Sequence, residues 1–214
     1  MADRDALTLA QSLCTRLCHD LAGPLGAVGS GAELLQDEGA EADPQIIGLL
    51  TDSAASAASR LRFLRALMGV PSGRGLDAEA ARAMLADHLA ASSSRAVPAL
   101  TWDVTPPADP GQARALVQLL LNLCLLGLEA LPRHERIAVT ASADRRASVV
   151  LSGRGTPRDE PVAALTAGLS GHGAPLDPRA VQGGYAGLLA RVAGLTVTIE
   201  AEEGELRMGV APAA

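Results

Sequence analysis

The stretch Leu17-Cys18-His19-Asp20-Leu21-Ala22-Gly23-Pro24 lies in a run whose apolar residues recur every seven positions. Leu7, Cys14, Leu21, Val28 and Leu35 form one series, and Ala10, Leu17, Pro24 and Gly31 interleave with it. That spacing draws a single apolar seam along a long helix. At about 100° per residue, His19 falls roughly 160° from Leu21 on the helical wheel. The spacing therefore turns the imidazole away from the seam, into solvent. Pro24 lacks a backbone N–H and its ring opposes the carbonyl of residue 20, so a bend just after His19 is expected.

Working outward, Asp3 or Asp5 can cap this helix, which reads as running to about Asp37 and stopping near Gly39. An acidic, turn-like stretch then leads to a second helix from Pro44, a residue suited to a first turn. Ile46, Leu50, Ala57, Leu61, Leu64 and Met68 give it an apolar stripe, and it ends by Gly69-Val70-Pro71. Two long helices and a short loop make an antiparallel hairpin. A lone hairpin cannot cover both of its apolar faces, so two copies should pair into a four-helix bundle, making a homodimer.

Pro71-Ser72-Gly73-Arg74-Gly75 reads as a linker, which divides the chain into a hairpin, 1–70, and a second unit, 76–214. Beyond it, helices are expected at Asp77–Ala91, Pro110–Leu131, Glu160–Leu169 and Val181–Val192. Strands are expected at Ala99–Val104, Ile137–Ala141, Ser148–Leu151, Leu195–Glu200 and Leu206–Val210. Helices packed on one side of a mixed sheet give a two-layer α/β sandwich. The fold class is therefore α+β: a bundle-forming hairpin followed by a sandwich.

Composition narrows the chemistry. All 18 basic residues are arginine, so lysine Schiff-base chemistry and the lysine of a P-loop are excluded within this chain. A net charge of -6 without a basic, aromatic-rich stripe argues against direct nucleic-acid binding. Three cysteines, an odd number, suit a reducing compartment better than a disulfide scaffold. Met1-Ala2-Asp3-Arg4-Asp5 lacks the pattern of a signal peptide. The longest apolar stretch, Leu116 to Leu131, is interrupted by Gln118, Asn122 and Glu129 and is shorter than a bilayer span of about 20 residues. A soluble cytoplasmic protein with no membrane partner is expected.

A hairpin carrying His-Asp-x-x-x-Pro, followed by an α/β unit, resembles a sensor histidine kinase without its sensor. Gln118-Leu-Leu-Leu-Asn122-Leu-Cys-Leu-Leu126-Gly-Leu-Glu-Ala-Leu131 is similar to the asparagine box of the kinase ATP-binding (Bergerat) domain. Leu151-Ser-Gly153-Arg-Gly155-Thr-Pro157 is similar to the first glycine box, and Gly183-Gly-Tyr-Ala-Gly187-Leu-Leu-Ala-Arg191 to a remnant of the second. Working kinases of this pattern hold magnesium with a second asparagine four residues after the first, where this chain has Leu126. They hold adenine with an aspartate at the head of the first glycine box, where it has Leu151. Each lost hydrogen bond to a buried polar ligand costs about 1–3 kcal/mol, and the lost metal ligand also removes triphosphate neutralisation. Asn122, Leu126, Leu151, Gly153 and Gly155 thus outline a degenerate nucleotide site, and no cofactor or metal is expected on this chain.

A retained histidine beside a ruined ATP site resembles the ChpT-type histidine phosphotransferases of alphaproteobacteria. The resemblance implies that His19 accepts a phosphoryl group from the phospho-Asp of a hybrid kinase's receiver domain. It then passes the group to response regulator receivers, which supply Mg2+. A neutral imidazole provides the nucleophile near pH 7. Asp20 either orients the ring or accepts its proton, or else is a relic of kinase chemistry or a solvated charge. Arg16, one turn before His19, either meets the phosphoryl charge or is a surface arginine. Gly23, Gly26, Ala27 and Ser30 form a candidate docking strip, since helical glycines cost roughly 1 kcal/mol each and need a reason; the alternative is close packing on the second helix. Cys14 and Cys18 read as small core residues rather than metal ligands, and His88, His134 and His172 have no partners at a diagnostic spacing. Arg154 reads as surface. An ATP-dependent kinase and a non-enzymatic dimeric scaffold are the competing readings.

Overall fold

The structure, a computed structural model, describes residues 2–38, 43–69, 76–92, 96–171 and 181–213. The expected linker 71–75 and His172 lie outside these residues.

Local signals set most element ends. Helix α1 spans Ala2–Glu38 and α2 spans Pro44–Met68. Asp43 caps α2 by accepting from the Gln45 N–H at 2.8 Å, and Pro44 occupies its first turn. Helix α3, Ala78–Ser92, is capped in the same way by Asp77, and α4, Pro110–Ala130, by Asp109. Helices α5 (Asp159–Leu169) and α6 (Val181–Val192) complete the helical layer. Strands β1 (Ala99–Val104), β2 (His134–Ala141), β3 (Ala147–Gly153), β4 (Leu195–Glu202) and β5 (Glu205–Pro212) form one sheet in the order β1-β2-β3-β5-β4. Only β1 and β2 pair in parallel; the other pairs are antiparallel. The hairpin and the two-layer α+β sandwich are thus both present.

Helix α4 is the centre of the molecule. Leu116, Leu119, Leu120, Leu121, Leu123 and Leu126 are fully buried. It is the one helix among the described residues long and apolar enough to cross a membrane, because it begins at Pro110, earlier than the apolar stretch alone. Most of that window is buried inside the protein, where the helix serves as core. The lower half of α2 joins the same core through Phe63, Leu64 and Leu67.

The packed face of α1 differs from the expected seam. Leu17, Leu21, Pro24, Val28, Gly31 and Leu35 are at least half-buried, but Leu7, Ala10, Cys14 and Cys18 are exposed. Cys14 and Cys18 are therefore not core residues. The physical reason is that a strict seven-residue repeat drifts about 20° per heptad on a straight helix, so its N-terminal members turn out of the contact with α2. Leu61 of α2 is likewise 42% exposed rather than part of the packed stripe. Helix α1 stays helical through Pro24. The Asp20 carbonyl that Pro24 cannot serve accepts a hydrogen bond from Arg60 Nη1 of α2 at 3.3 Å.

Candidate functional site

His19 stands on the outer wall of α1 with 82% of its side chain exposed. Its Nδ1 lies 3.3 Å from Asp20 Oδ1. The other Asp20 oxygen accepts from Arg16 Nε at 2.7 Å. Arg16 also donates through Nη2 to Glu129 of α4. Only 13% of the Arg16 side chain is exposed, and its Nε and Nη2 each donate to a carboxylate. Burial pushes the Glu129 carboxyl up while Arg16 pulls it down, and the net direction is up. The structure thus brings Arg16, Asp20 and His19 together and adds Glu129.

Gly23 and Gly26 lie along the same side of α1 with open space where a side chain would stand. Ser30 is exposed and Ala27 is half-buried. The two glycines do not pack on α2. Close packing belongs instead to Gly31, whose missing Cβ would sit 2.9 Å from Leu50.

The residues at the degenerate nucleotide positions have structural partners. Asn122 Nδ2 donates to the Leu67 carbonyl at 3.0 Å and to the Gln118 carbonyl at 2.8 Å, while its Oδ1 accepts from Gln182 Nε2. Gln118 Nε2 donates to the carbonyls of Leu67 and Gly69, and Tyr185 Oη donates to that of Met68. Helix C-termini leave carbonyls without intrahelical partners. These side chains satisfy them at the end of α2. Leu126 and Leu151 are fully buried, and Leu151 packs on the bare face of Gly127. Gly153 lets β3 pass the Arg133 carbonyl, and Gly155 takes a left-handed turn at φ 87°. Arg154 is exposed and paired with Glu135 at 2.8 Å.

Glu129 escaped the sequence reading because it looked like one polar interruption of a core helix. Gln118, Asn122 and Glu129 fall within about 40° of one another on the α4 wheel. That single polar line was the available signal. In the structure it faces the hairpin, with Gln118 and Asn122 on α2 and Glu129 on α1.

Beside this line an open cleft of about 760 Å³ is lined by Arg16, Asp20, Arg60, His88, Arg133 and Arg154, among others. Among the described residues no group of three or more His, Cys, Asp or Glu gathers as for a metal ion. His134 Nδ1 lies 2.8 Å from the Leu131 carbonyl. His88 stacks on Phe63 with ring centroids 4.2 Å apart. Burial, reinforced by Arg60, pushes the His88 pKa down to about 4. The folded chain therefore holds the ring neutral, and the stability this brings is complete above the ordinary value of 6.5. It is lost as pH falls from there towards 4, by up to about 3 kcal/mol. Urea titrations across that range are expected to show the decline, and His88→Phe to flatten it.

Residues 81–205 match the family described as "Histidine phosphotransferase C-terminal domain". The Protein phosphotransferase ChpT of Brucella abortus (strain 2308) is 33% identical over 200 residues, covering 92% of this chain and 91% of that protein. A solved bacterial phosphotransferase superposes with a TM-score of 0.74 at 31% identity, covering 96% of each chain. The Acinetobacter baumannii histidine kinase AdeS is a more distant neighbour, at TM-score 0.47 and 13% identity. The chain belongs to the ChpT-type histidine phosphotransferase family. Its activity is phosphoryl transfer within a phosphorelay, in exchange with response regulator receivers.

Proposed function

We propose that His19 is the phosphoacceptor, taking a phosphoryl group from the phospho-Asp of a hybrid kinase's receiver and yielding it to response regulator receivers. The observation that carries this reading is an 82% exposed imidazole with a carboxylate 3.3 Å from Nδ1. With the proton on Nδ1, facing Asp20, the Nε2 lone pair is free to attack. The P–N bond forms as the acyl phosphate P–O bond breaks, and the receiver's aspartate leaves as a carboxylate. The phosphoimidazole is left positive, and Asp20 stabilises it through the Nδ1–H. The second transfer runs these bond changes in reverse. Mg2+ is supplied by the receiver, and Gly23, Gly26, Ala27 and Ser30 give its helix room to approach.

The chain itself uses no ATP, metal or cofactor. This is supported by Asn122, whose amide is fully engaged by protein groups, and by aliphatic side chains at 126 and 151. It works as a homodimer. Among the described residues, six of the eight exposed large hydrophobics lie on the hairpin, and Leu7, Cys14, Cys18 and Leu25 fall on one line of α1, outside the contact with α2. Cytoplasmic placement follows from the receivers it serves and is supported by three free cysteines. Neither nucleic acid nor membrane is a partner. Incubation with a phosphorylated receiver, in the absence of nucleotide, is expected to label the chain with an acid-labile, base-stable phosphoryl group. Labelling from magnesium-ATP alone would instead make it a kinase.

A further inference from the structure

We infer that Glu129, on α4 of the sandwich, is a positioning residue for the transfer at His19; this rests on His19 being the phosphoacceptor. A fully exposed ring rotates freely unless something holds it, and the contact within reach of His19 Nδ1 is Asp20. Asp20 is held at two points. Arg60 grips its backbone carbonyl, the one that Pro24 leaves without a helical donor. Arg16 grips its carboxylate.

Arg16 is a long side chain on the same helix as Asp20, and an i,i+4 pair of this kind is weakly ordered when it stands alone in solvent. Here its Nη2 is fixed by Glu129, which reaches across from α4. Glu129 and Asp20 each have 21% of the side chain exposed and Arg16 has 13%, so the three charges share a partly dry site where pairing is stronger than at a surface. The anchor is rigid because α4 is the buried core helix. Its polar line also clamps the end of α2 through Gln118 and Asn122. The core of the sandwich therefore sets the direction of the imidazole through Glu129, Arg16 and Asp20 in turn. It keeps the proton on Nδ1 and leaves Nε2 facing outward. A domain without nucleotide chemistry retains, in this way, a part in the transfer.

Glu129→Gln keeps the shape and removes the charge. It is expected to slow transfer from a phosphorylated receiver about ten- to hundredfold, the scale on which misplaced reacting groups act. Receiver affinity should stay at the parental level. Nitrogen-15 NMR of the His19 ring should show a smaller share of the Nδ1-protonated tautomer, and Glu129→Asp should restore part of the rate. Should Glu129→Gln fail to fold, Arg16→Lys carries the same test, because an ammonium lacks the fork that engages two carboxylates at once. Parental rate and tautomer in the folded variant would overturn the inference. So would a loss confined to receiver affinity with the tautomer unchanged. His19→Gln run alongside separates the two claims: its labelling would sink the phosphoacceptor reading, while a blank His19→Gln beside a fully active Glu129→Gln would sink the positioning role alone.

Discussion

A His19→Gln chain is expected to melt within a degree or two of the parent and to take up no phosphoryl group at all. Both halves follow from the same geometry. The side chain is 82% exposed and its recorded partner is the Asp20 carboxylate. Substitution at such a position usually changes stability by no more than about 0.5 kcal/mol. Glutamine keeps the length and polarity of the side chain and suits a helix better than histidine does. What it lacks is a nitrogen lone pair able to attack phosphorus, since the amide nitrogen's pair is delocalised into its carbonyl. Asp20 would then have no imidazole to orient, and the Arg16–Asp20–Glu129 cluster would remain in place. Loss of transfer with folding and receiver binding intact is thus the signature of a chemical role. A general scaffold would pass the same substitution unnoticed.

Gly187→Ala should do the reverse and damage the fold without touching the histidine. Helices α5 and α6 approach so closely that their backbones meet through glycine. A Cβ on Gly187 would stand 2.5 Å from the Leu165 carbonyl oxygen and 2.6 Å from the Leu169 nitrogen. One on Gly168 would meet the Gly184 carbonyl at 2.4 Å, and one on Gly183 the Pro161 carbonyl at 2.5 Å. Backbone atoms cannot turn aside as a side chain can, so the helices must separate. Overpacking of this kind costs about 1–3 kcal/mol or more, and alanine's better helix propensity returns only about 1 kcal/mol. Three backbone atoms within 3.0 Å put Gly187 at the upper end of that cost, so we expect a net loss of about 2 kcal/mol, a fall in Tm of roughly 4–8 °C for a chain of this size. Gly26→Ala is the internal control. No atom lies within 4 Å of its missing Cβ, so the same chemical change should raise Tm slightly.

Element order was legible because its signals are local. Asp43-Pro44 and Asp109-Pro110 each announce a helix start, and Glu203-Gly204 makes the last turn, where Gly204 has a φ of 79°. The face that α1 turns to α2 is legible from Leu17 onward but not nearer the N-terminus, because small phase errors accumulate over a helix of 37 residues. The same limit misplaced Cys14 and Cys18. His19 was safe from it, since its direction was read from neighbouring residues rather than from the far end of the repeat. The glycines of 183–187 looked like worn remains of a nucleotide loop. Their work in packing depends on α5, a partner that sequence pattern does not pair with α6. Asn122 reads in sequence as part of an asparagine box. Its engagement with Leu67 and Gln182 joins residues 55 and 60 positions apart, a contact no local rule anticipates. Glu129 lies within reach of pattern reading, since it shares one line of the α4 wheel with Gln118 and Asn122.

The phosphoryl group itself can be located by spectroscopy. The chain should be labelled uniformly with nitrogen-15, phosphorylated from a receiver without nucleotide, and read by nitrogen–phosphorus correlated NMR at neutral to alkaline pH. A single P–N bond is expected, at Nε2 of His19. A phosphoryl group on His88, His134 or His172, on an aspartate, or on no residue of this chain would contradict it.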